Sequence, residues 1–156
     1  MAEVRPELQI MLESMRRVVV SSERLRTQMA DHLGLALGEV IILSLVGYPD
    51  PVTPTELAVA LGRNASTITA AIDRLETAGM IERRSHPRDR RKTILVVSEE
   101  GERALSWLRD LSVRAFGEHS RDALIDMTKT FEDAAAALDA QSRLLESEPY
   151  RRAPRG

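Results

Sequence analysis

The sequence predicts a mostly helical fold with one small β-wing. Three observations carry this. Apolar residues recur at helical spacing along most of the chain, and only two short neighbouring stretches, residues 80–84 and 93–97, have a strand-like make-up. The composition of the 156 residues, 43% hydrophobic and 29% charged with 3% aromatic, is that of a helical chain long enough to bury a core.

The first helix is expected from Pro6 to about Leu33, with Leu8, Met11, Leu12, Met15, Val18, Val19, Leu25, Met29 and Leu33 at helical spacing. Pro6 suits a first turn and Gly34 a stop. Such a helix is longer than a domain of this size needs for its own core, so part of its stripe is expected to meet another chain. Residues 35–46 form a second helix, apolar nearly all round through Val40, Ile41, Ile42, Leu43, Leu45 and Val46, which makes it the central buried element. Ala36-Leu37-Gly38 gives its start no strong cap. Residues 47–51, with two prolines and a glycine, are a loop.

Thr53-Pro54-Thr55-Glu56 then places a cap Thr, Pro at the first helical position and Glu at the third, the pattern of a capping box. The helix it opens, with Leu57, Ala58 and Leu61 inside, ends at Gly62. Asn64 can cap the next one, where Ile68, Ala71, Ile72 and Leu75 recur at i, i+3, i+4 and i+7. A short helix, a tight glycine-containing turn and a longer amphipathic helix are the spacing of a helix-turn-helix, and small Ala58 permits a close crossing. The opposite face of the second helix carries Ser66, Thr69, Ala70, Asp73, Arg74 and Thr77. These short polar groups and one Arg suit a major groove, although an ordinary solvated helix has the same make-up.

Gly79 ends that helix. Residues 80–84 and 93–97 read as an antiparallel hairpin, the eight mostly charged residues 85–92 between them as a long mobile tip. Ser98, followed by Glu99 and Glu100, opens a helix running to about Phe116 through Ala104, Leu105, Leu108, Leu111 and Ala115, with Trp107 on its flank. A last helix, from Arg121 to about Leu145, sets Leu124, Phe131, Leu138 and Leu145 seven residues apart, the mark of a helix-on-helix seam within or between chains. Residues 148–156, with Arg151, Arg152, Arg155 and two prolines, are expected to be a disordered basic tail.

Charge is unevenly spread. Eight basic residues face four acidic ones between Arg63 and Lys92, a local +4 on a chain of net −2, which leaves −6 for the remainder. A basic stretch on an acidic body is the footprint of a polyanion site; taken alone it is also what a solvated charged loop looks like. The absence of cysteine removes disulfides, thiolate metal sites and thiol redox chemistry. His32, His86 and His119 are scattered and suggest no metal site, and no cofactor is expected. There is no phosphate-cradling glycine loop, nucleophile elbow or HExxH, so the chain is not expected to be an enzyme. The longest apolar run, residues 40–46 broken by Ser44, is too short for a bilayer, and residues 1–6 show no signal pattern, so a cytoplasmic location without membrane contact is expected.

Three continuous blocks resemble the MarR (multiple antibiotic resistance regulator) family. They are residues 54–62 (PTELAVALG), residues 66–81 (STITAAIDRLETAGMI) and residues 83–91 (RRSHPRDRR); Val97-Ser98-Glu99-Glu100-Gly101 stands where the family shows Leu-Thr-x-x-Gly. The Asp-x-Arg of Asp89 and Arg91 is the most specific part. The resemblance implies a winged helix-turn-helix lobe, residues 35–98, joined to long N- and C-terminal dimerisation helices, residues 1–34 and 99–147. It implies a homodimer on a palindromic operator of double-stranded DNA, acting as a transcriptional repressor and modulated by a small aromatic or phenolic effector. The DNA contacts it implies are Arg63, Asn64, Ser66, Thr67, Thr69 and Arg74 on the recognition helix and Arg88, Asp89, Arg90 and Arg91 on the wing. Arg91 is the group placed to enter the minor groove, with Asp89 orienting the tip by pairing with it or with a neighbouring base; Arg63 and Arg88 suit phosphates, and Lys92 has no role beyond solvation. The alternative is a helical protein-interaction module that binds no DNA, which net acidity favours and the local +4 opposes.

Overall fold

The computed structural model describes residues 5–48 and 50–147, with the side chains of Arg90, Glu146 and Ser147 left out; the tail expected at 148–156 lies outside the described residues. The elements in order are α1 (Pro6–Leu33), α2 (Leu37–Val46), α3 (Pro54–Ala60), α4 (Ala65–Thr77), β1 (Ile81–His86), β2 (Asp89–Val97), α5 (Glu99–Phe116) and α6 (Arg121–Ser147). The chain divides between Leu111 and Ser112 into two compact units.

In the first unit the core gathers around α2. Ile42, Leu43 and Val46 pack with Leu57 of α3, with Ile68, Ala71, Ile72 and Leu75 of α4, with Ile81 and Leu95 of the two strands and with Ala104 of α5. The i, i+3, i+4, i+7 stripe of α4 is buried in full. Leu35 and Leu33 pack against the rim of this cluster.

The helix starts and stops follow from local chemistry. Gly34 sits in the left-handed region at φ 63°, and its N–H reaches back to α1, as glycine allows without steric cost. α2 begins two residues later than the apolar run suggests, because the backbone N–H of Ala36 donates to the Glu39 carboxylate at 2.8 Å, so the cap comes from inside the helix. At α3 the capping box is complete: Glu56 accepts from the Thr53 N–H at 2.7 Å while Thr53 Oγ1 accepts from the Glu56 N–H at 3.3 Å.

The hairpin differs from the expected one. The strands pair antiparallel from Ile81↔Val97 to Ser85↔Thr93, and then His86 faces Asp89 across a two-residue turn, Pro87-Arg88. Between the last two pairs β1 advances one residue and β2 four, so Arg90, Arg91 and Lys92 form an unmatched excess on β2. The tip is therefore a tight turn above a bulge rather than an eight-residue loop. Pro87 fits the second position of such a turn, where its fixed φ costs nothing. Val52 adds an isolated bridge to Leu95, with the Leu95 N–H donating to the Val52 carbonyl at 2.9 Å, which ties the α2–α3 connection to the sheet.

α5 docks its first turn against the end of α4. The Ser98 hydroxyl donates to the Gly79 carbonyl and accepts from the Gly101 N–H at 3.0 Å. A Cβ on Gly101 would overlap the Met80 carbonyl oxygen and a Val97 methyl, so glycine is required for this approach. Further along α5, Trp107 stacks on His32 of α1, ring centroids 5.8 Å apart.

The second unit contains the end of α5 and α6. Leu124, Phe131, Leu138 and Leu145, the residues at seven-residue spacing, are between 38% and 65% exposed in the single chain. On α1 the side chains of Leu8, Ile10, Met11, Leu12, Val18 and Val19 are likewise exposed. Among the described residues no single helix is long and apolar enough to cross a membrane.

Candidate nucleic-acid interface

The face of α4 opposite the core presents Ser66, Ala70, Asp73 and Thr77 along its middle, with Thr69 and Arg74 beside them and Thr67 at the flank. All are exposed. Asn64 caps the helix: its side-chain oxygen accepts from the Thr67 N–H at 2.8 Å and from the Ser66 hydroxyl at 2.9 Å. Two residues expected to touch DNA thus have their oxygens engaged in holding the helix start.

Arg74 has a partner the sequence did not suggest. Its Nε donates to Glu39, whose side chain is only 6% exposed, while 60% of the Arg74 side chain faces solvent. Glu39 thereby caps α2 with one oxygen and holds α4 with the other. Its role has one trace in the sequence: it stands three residues after Ala36, the position from which a Glu reaches back to a helix start.

Arg83 of β1 bridges Asp73 and Glu76 of α4, and these hydrogen bonds raise its pKa, Asp73 contributing most. Arg84 pairs with Glu82 at 2.9 Å. Three of the eight bases that make this stretch positive are therefore neutralised by neighbours. Arg63, Arg88 and Arg91 are exposed and make no ion pair among the described residues. Lys92 is exposed too, and its charge contributes a minor part of the lowering of the Glu56 pKa. The uncompensated charge thus lies at the start of α4 and on the wing tip, a sharper distribution than the plain count conveys.

At the tip, Asp89 accepts the backbone N–H of Arg91 at 3.1 Å, and Nδ1 of His86 accepts that of Arg88 at the same distance. Asp89 therefore acts on the backbone of Arg91, not on its guanidinium, and His86 is a tip-forming residue that sequence reasoning left without a role. The Arg90 side chain is outside the described set. Among the described residues no group of three His, Cys, Asp or Glu side chains is arranged to hold a metal ion.

This arrangement has counterparts among known proteins. Residues 35–93 match the model of the MarR family. The chain is 34% identical over 67 residues to the HTH-type transcriptional regulator YcgE of Bacillus subtilis (strain 168), a match covering 43% of this chain and 44% of YcgE. It is 30% identical over 104 residues to the HTH-type transcriptional regulator PecS of Dickeya dadantii (strain 3937), covering 62% of this chain and 63% of PecS. The chain thus spans between two-fifths and two-thirds of the length of these curated relatives. Among solved structures it is similar to AbsC, a MarR family transcriptional regulator from Streptomyces coelicolor, with TM-score 0.67 at 20% identity over 90% of this chain and 99% of that one. It is also similar to a mutant of S. aureus MepR bound to an oligodeoxyribonucleotide, with TM-score 0.53 at 17% identity over 81% and 96% of the two chains. The winged lobe, the family model matched over residues 35–93 and these relatives agree in placing the chain's similarity with the MarR family.

Proposed function

We propose that the chain is a sequence-specific DNA-binding transcriptional regulator, a repressor that acts as a homodimer on a palindromic operator in the cytoplasm. The single observation that carries this reading is the pairing of an exposed helix face with a wing tip whose Arg88 and Arg91 have no acidic partner among the described residues. Arg91 is the minor-groove group in this reading, and Arg63 and Arg88 hold phosphates. Thr67 and Thr69 offer base contacts, Asn64 and Ser66 fix the helix end that approaches the backbone, and Arg90 adds charge to the tip. The capture of the related MepR mutant with an oligodeoxyribonucleotide supports DNA as the partner.

The homodimer reading rests on the long apolar stripes left exposed on α1 and α6. In this reading residues 1–34 and 99–147 pair two copies, and each lobe of residues 35–98 reads one half-site. Such half-sites lie about one helical turn, roughly 34 to 36 Å, apart. A small aromatic or phenolic effector would act by favouring a spacing of the two lobes that no longer matches successive grooves.

A mobility-shift titration with the DNA upstream of the protein's own gene, at two salt concentrations, tests the reading. A sequence-specific shift that weakens steeply with salt is expected. Absence of any specific shift at either salt, for a folded protein, defeats it.

A further inference from the structure

The outward face of α4 is chemically narrower than its sequence. Of the groups along it, the Ser66 hydroxyl donates to Asn64, the Thr77 hydroxyl donates to the Asp73 carbonyl at 2.8 Å, the Asp73 carboxylate receives Arg83, and Arg74 is fastened through Nε to Glu39. What remains without an internal partner among the described residues is the methyl of Ala70, the γ-methyl of Thr77, the side chains of Thr67 and Thr69 and, at the edge of the face, the terminal nitrogens of Arg74. The long side chain beside this set, Arg74, is held through Nε to Glu39, which fixes where its terminal guanidinium nitrogens lie at the edge of the face.

We propose that α4 reads thymine through its C5-methyl group, with Thr69 and Ala70 as the specificity-determining residues. The inference rests on the DNA-binding reading above and goes beyond it by naming what the helix recognises. Three physical points support it. Short side chains let the helix backbone approach the groove floor closely. Methyl against methyl removes apolar surface from water and needs no hydrogen-bond partner on the protein. Bonding Asp73 to Arg83 and Arg74 to Glu39 restricts how far these two charged side chains can reach toward base edges.

The test starts from duplexes with a randomised central region, from which the full chain selects its sites. Each thymine of the enriched half-site is then replaced by deoxyuridine, which keeps the base pair, the O4 acceptor and the entire minor-groove edge and removes only the methyl. Binding is followed by fluorescence anisotropy. At one or two thymines per half-site the substitution is expected to weaken binding about fourfold when made in one half-site and about fifteenfold when made in both, the scale of one buried methyl per half-site. In Thr69→Ser and Ala70→Gly the same substitution is expected to matter less than about twofold at the thymine each residue contacts; circular dichroism checks that both variants fold. Enriched sites that bind equally well with deoxyuridine throughout overturn the methyl reading and leave DNA binding intact. So do sites dominated by guanine whose recognition is lost in Arg74→Lys, or by cytosine lost in Asp73→Asn. Failure to enrich any sequence overturns both.

Discussion

The carboxylate of Glu39, buried in the first turn of α2, is the anchor of Arg74 on α4. Helix-turn-helix elements are held at a fixed crossing by apolar packing, and here one ion pair adds a directional constraint between the central helix and the recognition helix. Removing Arg74 leaves a buried carboxylate with only the Ala36 N–H as partner. We expect Arg74→Ala to destabilise the fold by about 1–3 kcal/mol, the cost of an orphaned buried polar group with allowance for the exposure of the Arg itself. Urea denaturation of Arg74→Ala, Glu39→Gln and the double variant measures it, and an interaction energy below about 0.5 kcal/mol would show that the two act independently.

The wing makes a second prediction, through charge. Arg91 has no acidic partner among the described residues, so Arg91→Ala is expected to leave folding unchanged and to weaken DNA binding. If it neutralises one phosphate or sits in a charged groove, the slope of log K against log salt should fall by about 1. Asp89→Ala, which frees the Arg91 backbone N–H, should weaken binding without changing that slope. Equal salt slopes for wild type and Arg91→Ala would remove the wing from the interface.

Gly101→Ala tests the docking of α5 on the lobe. The added Cβ meets the Met80 carbonyl and a Val97 methyl, both fixed by the hairpin. Overpacking of this kind costs about 1–3 kcal/mol, read as a lowered urea midpoint. A substitution at exposed Gly38, where a Cβ meets nothing within 4 Å, is the matched control.

Glu56 supplies a pH dependence. Its pKa is lowered from 4.5, first by the Thr53 backbone N–H and then by the Thr53 hydroxyl. A depressed folded-state pKa means that this contribution is fully present above the unfolded value and is lost as pH falls through the folded one. Thermal stability of the wild type should therefore drop more steeply below about pH 4.5 than that of Glu56→Gln, and be higher than the variant's at neutral pH. Parallel curves from neutral pH to pH 3 would contradict it.

The exposed stripe of α6 bears on assembly. Phe131→Glu places a charge in the middle of the seven-residue repeat and is expected to shift the protein toward monomer in sedimentation velocity. A change at exposed Lys129 should not.

Much of this architecture is legible in the sequence because it rests on periodicity and caps. The α4 stripe, the Thr53–Glu56 box, the Asn64 cap and the ends of α1 at Pro6 and Gly34 all follow from residue types at fixed offsets. What is not legible depends on contacts between distant positions. Glu39 and Arg74 are 35 residues apart, and nothing local marks them as partners. A plain charge count includes Arg83 and Arg84 in the positive patch, whereas their acids lie on α4 and alongside on β1. The tip departs from expectation because a run of charged residues resembles a loop; the side-chain bonds of His86 and Asp89 that close the turn are invisible to composition. For the proposed DNA contacts, residue type marks exposure well and internal commitments poorly.

The three-residue excess on β2 has a consequence for how such a protein changes over generations. Register below Ser85↔Thr93 is set by Ile81, Ile94 and Leu95 in the core, and the turn above is closed by its own side chains. The segment between them is outside the paired register and is bonded to the turn through the Arg91 N–H and Asp89. A residue gained or lost at 90–92 would alter the reach of the arginine-bearing tip while both anchored ends stay in place. The length of this segment is an adjustable spacer, so a lineage can retune how far the wing extends without renegotiating the core.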